Sequence, residues 1–272
     1  KGRNGKSTLV DIWGLVAGEY GTATPIETFL AEGRGRQGNQ ASPDLAMLRG
    51  ARFVRTSEPD KGAKLGEALI KLVTGGEPFP VRELHKSFFM LQPHFKLTIS
   101  GNYRPKIVGT DEGIWRRMTL VPWIVTIDKQ QIDKTLGLKL AAETSGVLNR
   151  LLDGLADWLE NGLIIPEDVD TATQEYRRDS DPLGRFLDAC VVADPGGQVQ
   201  SAVLHSVFNA WGKANGEREW TATGFGRAMS DRGFESKKSN VTWWVNIKLV
   251  KTESDFVDSQ GRARVETSSA VG

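Results

Sequence analysis

Sulfur and imidazole side chains are scarce in this chain. A single cysteine, Cys190, among 272 residues excludes an internal disulfide and any cysteine-rich zinc site, and fits a reducing compartment. The three histidines, His85, His94 and His205, are too scattered to suggest a metal cluster. A surplus of charge is missing too. With 35 Lys and Arg against 34 Asp and Glu the net charge is +1, so any surface for a polyanion has to be local. No apolar run approaches the roughly 20 residues of a membrane span, and no membrane partner is expected. An initiator Met and a visible targeting segment are also missing.

What is present begins at the first residue. Lys1-Gly2-Arg3-Asn4-Gly5-Lys6-Ser7-Thr8 supplies all of G-x-x-x-x-G-K-[ST] except its first glycine, which would sit one position before Lys1. The chain is therefore expected to be a fragment that lacks the strand feeding this loop. Gly5 lets backbone N–H groups wrap a phosphate, Lys6 reaches the β- and γ-phosphates, and Ser7 offers its hydroxyl to Mg²⁺. Gly2, Asn4, Gly5, Lys6, Ser7 and Thr8 make up the expected ATP-binding set. The apolar spacing from Thr8 to Val16 predicts a helix whose N-terminus faces the anion.

Residues 1–125 alternate helical and strand-like patterns, as a parallel sheet with flanking helices does. Glu32 to Pro43 reads as a Gly- and Arg-rich flexible loop. One strand ends at Glu58-Pro59 and a second, His94 to Ser100, ends at Gly101-Asn102. Between them, Lys61 to Val73 has helical spacing. Residues 126–192 read as a helical subdomain and linker, with Leu136, Leu140, Val147, Leu151, Leu155 and Leu159 on one stripe. A Pro-Gly-Gly loop at 195–197 precedes a module over 193–250, predicted as helix, helix and β-hairpin, the order of a winged helix. Residues 251–272 lack periodicity and are expected to be a disordered tail.

A phosphate-binding loop needs an acid for metal or water, a polar sensor of the γ-phosphate, and often an arginine supplied in trans. Glu58 and Asn102, each at the carboxyl end of a strand, fit the first two roles. Ile114-Trp115-Arg116-Arg117-Met118 places two arginines beside apolar anchors.

In this order the motifs resemble superfamily 3 helicases, and specifically the helicase half of phage and plasmid primase-helicases related to the poxvirus primase-helicase. The matching segments are Asn4 to Thr8, Arg52 to Glu58, Ile70 to Gly76 followed by Val81-Arg82, Lys96 to Asn102, Gly113 to Met118 and Tyr176 to Phe186. The resemblance implies an AAA+-type P-loop NTPase domain, and a ring-forming helicase, expected to be hexameric, that uses ATP and Mg²⁺ and translocates on single-stranded DNA. It also implies a primase domain upstream, and the cytoplasm of a bacterial host if the chain is phage- or plasmid-encoded. Carried over by position, Lys6 and Ser7 bind phosphate and metal, Glu58 serves metal and catalysis, and Asn102 is the sensor. Arg117, ahead of Arg116, is the trans finger. The family's channel hairpin would have its tip near Leu84-His85-Lys86, making Arg82, His85 and Lys86 the expected DNA contacts. Family members can carry paired acids after the second strand, whereas here Ser57 precedes Glu58 and Pro59 follows. Glu67 and Asp60 therefore stand as reserve carboxylates.

Between 201 and 250, seven Lys and Arg against four acids leave a small positive excess on the second helix and hairpin, where a winged helix meets DNA. A protein-binding role for that module stays open. One of Trp243 and Trp244 is expected in the core, with Phe208, Trp211, Phe225 and Phe234. The competing reading of the whole chain is an AAA-type initiator or loader that remodels DNA without processive unwinding.

Overall fold

The computed structural model describes residues 4–31, 41–109, 111–258 and 260–264. The chain divides into two units, Lys1–Ser180 and Asp181–Gly272. The Gly- and Arg-rich stretch 32–40, Gly2 of the loop and residues 265–272 of the expected tail lie outside the described residues.

In the first unit, helix α1 (Lys6–Ala17) starts directly at Gly5, whose φ of 81° requires glycine at the turn into the helix. Strand β1 (Gly21–Thr24) follows, then the short helix α2 (Pro43–Ala46) and strand β2 (Phe53–Thr56). Helix α3 (Glu67–Val73), the hairpin strands β3 (Phe79–Arg82) and β4 (Phe88–Leu91), and strand β5 (Lys96–Ile99) come next. The sheet is parallel in the order β1-β2-β5, with Val54 opposite Thr22 on one side and Leu97 on the other.

Alternation along β2 sends Val54 and Thr56 into the core, while Phe53 and Arg55 face α1, where Trp13 meets Phe53 edge-on at 6.3 Å. The opposite face is closed by Leu45, Leu48, Ile70, Val73 and Ile114, all buried. This is an α/β domain with a parallel sheet flanked by helices, compatible with a P-loop NTPase. The predicted helix from Lys61 is shorter than expected. Residues 60–63 make a turn and 64–66 run outward to bond other segments, where Leu65 N–H donates to the Lys106 carbonyl and Gly66 N–H to the Phe29 carbonyl, bonds that a helix would forfeit.

Helix α4 (Glu112–Trp115) carries the arginine segment. Helices α5 (Leu136–Ala142) and α6 (Thr144–Asn161) match the predicted pair, with Gly162 closing α6 at φ 75°. Their stripe is not a core. They lie against α1 with Leu140 and Val147 half-buried, whereas Leu148, Leu151, Leu152, Leu155, Trp158 and Leu159 stay exposed. Helix α7 (Glu167–Asp179) closes the unit, burying Tyr176 against Trp115 edge-on at 5.4 Å. Burial pushes the Tyr176 phenol up from its ordinary pKa.

The second unit begins at Asp181, earlier than the expected start at 193. Helix α8 (Pro182–Cys190) belongs to it because Leu183, Phe186, Leu187 and Cys190 are core residues there. Asp181 caps the helix, accepting from Gly184 N–H at 2.9 Å, with Pro182 in the first turn. Strand β6 (Val191–Gln200), helices α9 (Ser201–Ala214) and α10 (Ala222–Asp231), and strands β7 (Ser236–Lys238) and β8 (Thr242–Leu249) complete the unit. The antiparallel order is β6-β8-β7. The predicted Pro-Gly-Gly loop is an irregularity inside β6, where the pairing with β8 shifts register between Ala193 and Gln198.

Phe208 touches the rings of Phe186, Trp211, Trp220 and Phe225 at the centre of this core. Trp244 is buried, its indole N–H donating to Ser201 Oγ at 3.2 Å, and Trp243 is half-buried. The described part of the expected disordered tail is folded. A short turn at Glu253–Asp255 is capped by Thr252, Phe256 packs on the core, and Val257 pairs with Ala263.

Burial pushes the Cys190 thiol up to about 11. At about pH 8 it therefore stays protonated and inert. Iodoacetamide is expected to spare the folded protein and to label Cys190 once denaturant opens the unit. Labelling of folded protein at the rate of an exposed thiol would contradict this packing.

Candidate nucleotide site

The site assembles at the carboxyl edge of the parallel sheet. Strands β2 and β5 are adjacent and in register, so the residues just beyond their ends, Glu58 and Asn102, arrive side by side. The Asn102 backbone N–H donates to Glu58 Oε1 at 2.6 Å, and Tyr103 N–H donates to the same oxygen at 3.2 Å. The Asn102 side-chain nitrogen donates to Glu58 Oε2 at 3.2 Å, and its Oδ1 accepts from Lys6 Nζ at 3.4 Å. Lys6, Asn102 and Glu58 thus form one continuous polar chain from the loop to both strand ends. The approach is close enough that a Cβ on Gly101 would lie 2.8 Å from Glu58 Cγ.

Two clefts meet this chain. One, of about 660 Å³, is lined by Ser7, Asp11, Arg55, Thr56, Ser57 and Glu58, among others. The second, of about 680 Å³, is lined by Asn4, Lys6 and Asn102 at its polar end and by Phe95, Leu97 and Ile99 along its apolar wall. Ser7 and Glu58 therefore share a cleft and are both exposed. Among the described residues no group of three or more His, Cys, Asp or Glu side chains could hold a metal ion by itself. Ser7 and Glu58 offer two oxygen donors on one cleft, and a hard cation such as Mg²⁺ takes one or two protein oxygens when phosphates and water complete its shell. Thr8 follows in the first turn of α1.

The other expected residues are placed as follows. Arg116 is exposed, whereas Arg117 is half-buried and donates to the Gly113 carbonyl of its own segment. That segment is fixed by Lys71 bridging Asp111 at 2.8 Å, by the Trp115 indole N–H donating to the Gly109 carbonyl at 3.1 Å, and by Arg177 pairing with Glu112 at 2.6 Å. The Lys71 hydrogen bond holds the Asp111 carboxyl below its ordinary range.

Glu67 Oε1 accepts from Val108 and Gly109 N–H at 2.7 and 2.8 Å, clamping that loop, and Glu67 does not line the cleft shared by Ser7 and Glu58. Arg82, His85 and Lys86 sit on the β3–β4 hairpin rather than in the cluster. Its tip is exposed, with His85 at φ 60°, and Lys86 is ion-paired with Glu83. Arg82 stacks over Phe88 at 5.1 Å. The tip is therefore less cationic than its sequence implies.

Two features have weak sequence signals. Arg55 of β2 pairs with Asp11 of α1, and the i,i+4 spacing from Ser7 only places Asp11 on the same face of the helix as Ser7. The Asn4 side-chain N–H₂ donates to the Trp123 carbonyl at 3.3 Å, a long-range contact without a local pattern.

A glycine-turned helix N-terminus, a lysine, a strand-end carboxylate and a strand-end amide at one sheet edge are compatible with a phosphate-binding site of the P-loop type. No protein-family model matches the chain. It is 28% identical over 233 residues to a protein of Acanthamoeba polyphaga mimivirus named as a candidate helicase, L207/L206, covering 79% of this chain and 24% of that one. It is 25% identical over 232 residues to 022R of Frog virus 3 (isolate Goorha), named likewise, with the same 79% and 24% coverage. The chain thus spans about a quarter of the length of these curated relatives.

Gly101→Ala is expected to destabilise the first unit by about 1–3 kcal/mol, because the added methyl must displace Glu58. A lowered urea midpoint with unchanged slope would register it. An unaltered midpoint would show that Glu58 does not pack here.

Proposed function

We propose that this chain carries the ATP-hydrolysing motor of a DNA helicase of the superfamily 3 kind, serving replication of a virus or other mobile element. The observation that carries the reading is the Lys6–Asn102–Glu58 chain at the sheet edge. The two viral relatives named as helicases support it.

ATP with Mg²⁺ would supply the scissile phosphoanhydride and a cation to offset its charge. Lys6 sits where an ammonium neutralises phosphate oxygens, and Ser7 and Glu58 offer oxygens to the metal. Glu58, aligned by two backbone N–H groups, accepts a proton from the attacking water or polarises it. Asn102 contacts Lys6 through its oxygen and Glu58 through its nitrogen. A phosphate that competes for Lys6 would therefore be felt at the carboxylate, which is the behaviour of a sensor.

The finger acts from a neighbouring subunit of a homo-oligomeric, hexameric ring. The exposed stripe of α6 is the kind of apolar surface that a second subunit covers. Arg117 is the positional match, and Arg116 has the exposure that crossing an interface requires. The β3–β4 hairpin, with Arg82, His85 and Lys86 beside exposed Leu84, Phe88 and Met90, suits single-stranded DNA through both phosphate and base contacts. The helix–strand–helix–helix–strand–strand order of the second unit, with Lys237 and Lys238 exposed on β7, supports a winged helix. An upstream primase is part of this proposal on resemblance.

ATP hydrolysis is to be measured with and without single-stranded DNA. The motor reading expects strong stimulation, abolished by Lys6→Ala. Hydrolysis indifferent to DNA would favour the initiator or loader, and no hydrolysis under any condition would remove the enzyme reading. Of Arg116→Ala and Arg117→Ala, the finger variant should keep ATP binding and lose about 10³–10⁵ in turnover. If neither does, no finger lies in this segment. Replacing His85 and Lys86 by Ala should remove unwinding and spare basal hydrolysis, and persistent unwinding would refute the hairpin assignment.

A further inference from the structure

The phosphate end of the site leaves open where the rest of a nucleotide lies. Beside Asn4 and Gly5 lies a residue distant in sequence, Trp123. Its carbonyl accepts from the Asn4 side chain at 3.3 Å, and its ring atom Cζ3 is 3.9 Å from where a Cβ on Gly5 would stand. Trp123 as a residue is 37% exposed, so it is partly covered and partly open. It lines the same cavity of about 680 Å³ as Lys6 and Asn102. Its neighbours Val121, Ile124 and Val125 are exposed by 56%, 82% and 70%, an apolar rim unusual beside a polar loop. Pro122, immediately before it, restricts the backbone that presents the ring.

An open aromatic ring, next to a phosphate loop and rimmed by apolar side chains, has the chemistry of a base platform. We propose that Trp123 stacks on the base of the bound nucleoside triphosphate, while Asn4 ties that platform to the loop. The inference rests on the reading of this site as a nucleotide site and adds its base subsite. Stacking uses the ring face, which every nucleobase has, and reads no edge hydrogen bonds. The platform therefore accepts purines without regard to their exocyclic groups.

Calorimetric titration with magnesium present separates the two claims. The probes are the non-hydrolysable analogues of ATP and GTP, and inorganic tripolyphosphate, which has the phosphates and no base. Trp123→Ala should weaken both analogues by about tenfold, the size expected when a base loses an aromatic partner, and leave tripolyphosphate within about twofold. Trp123→Phe, which keeps a ring, should retain most of the affinity and guards against misfolding as the cause. Unchanged analogue binding in Trp123→Ala would overturn the proposal. So would an equal loss for tripolyphosphate, which would assign Trp123 to loop support alone. If the unaltered protein binds neither analogue nor tripolyphosphate, the nucleotide reading itself falls and takes the platform with it. Tripolyphosphate binding alone would leave the phosphate site standing and remove the base subsite.

Discussion

Everything in the first unit converges on the grip that Asn102 and Tyr103 keep on the Glu58 carboxylate. Two backbone N–H groups and one side-chain amide donate to it, and the same amide accepts from Lys6. The arrangement demands that two adjacent parallel strands end at the same level and that Gly101 carry no side chain. A one-residue slip of β5 against β2 would replace Asn102 by Gly101 or Tyr103 and break the path to Lys6. The buried face of β2, built on Val54 and Thr56, holds that register by packing rather than by the site's own polar bonds.

The two ends of this unit contrast in energetic character. The sheet and α3–α4 side is a closed apolar core, stitched by the Glu67 loop clamp and the Lys71–Asp111 pair. The α5–α6 side contributes little burial, and its stripe stays open. A surface of this kind is weakly held by its own domain and strongly predisposed to association. The second unit has the opposite economy, with a dense aromatic centre around Phe208 and ion pairs Arg185–Glu217 and Arg232–Asp181 at its margin. Such pairs add orientation more than stability.

Local signals were enough for the glycine turn at Gly5 and for helix α1, because a positive-φ glycine before a run of helical apolar spacing is a short-range pattern. They were enough for Glu58 and Asn102 because strand ends in a parallel sheet deliver residues to one edge. They failed at Lys61 to Gly66, where inter-segment backbone bonds override helical spacing, and at α8, whose apolar face looked like a linker. Helical periodicity identifies a face without saying what covers it, which is why α8 is core and α6 is bare. Glu67 shows the same limit for charge. The sequence offered it as a reserve carboxylate, and only the tertiary structure shows it clamping the Val108–Gly109 backbone away from the Ser7–Glu58 cleft.

By itself, then, the sequence determined the glycine turn into α1, the parallel α/β class and the polar residues at two strand ends. Each of these is encoded over a few neighbouring residues, within the reach of backbone preference and side-chain period. The tertiary structure alone decided that Asn102 would bridge Lys6 and Glu58, that Arg117 would turn inward while Arg116 stayed out, that Arg55 would answer Asp11, and that Trp123 would reach the loop at Asn4. These contacts join residues far apart along the chain, and their geometry depends on how every intervening element packs, which no local pattern records.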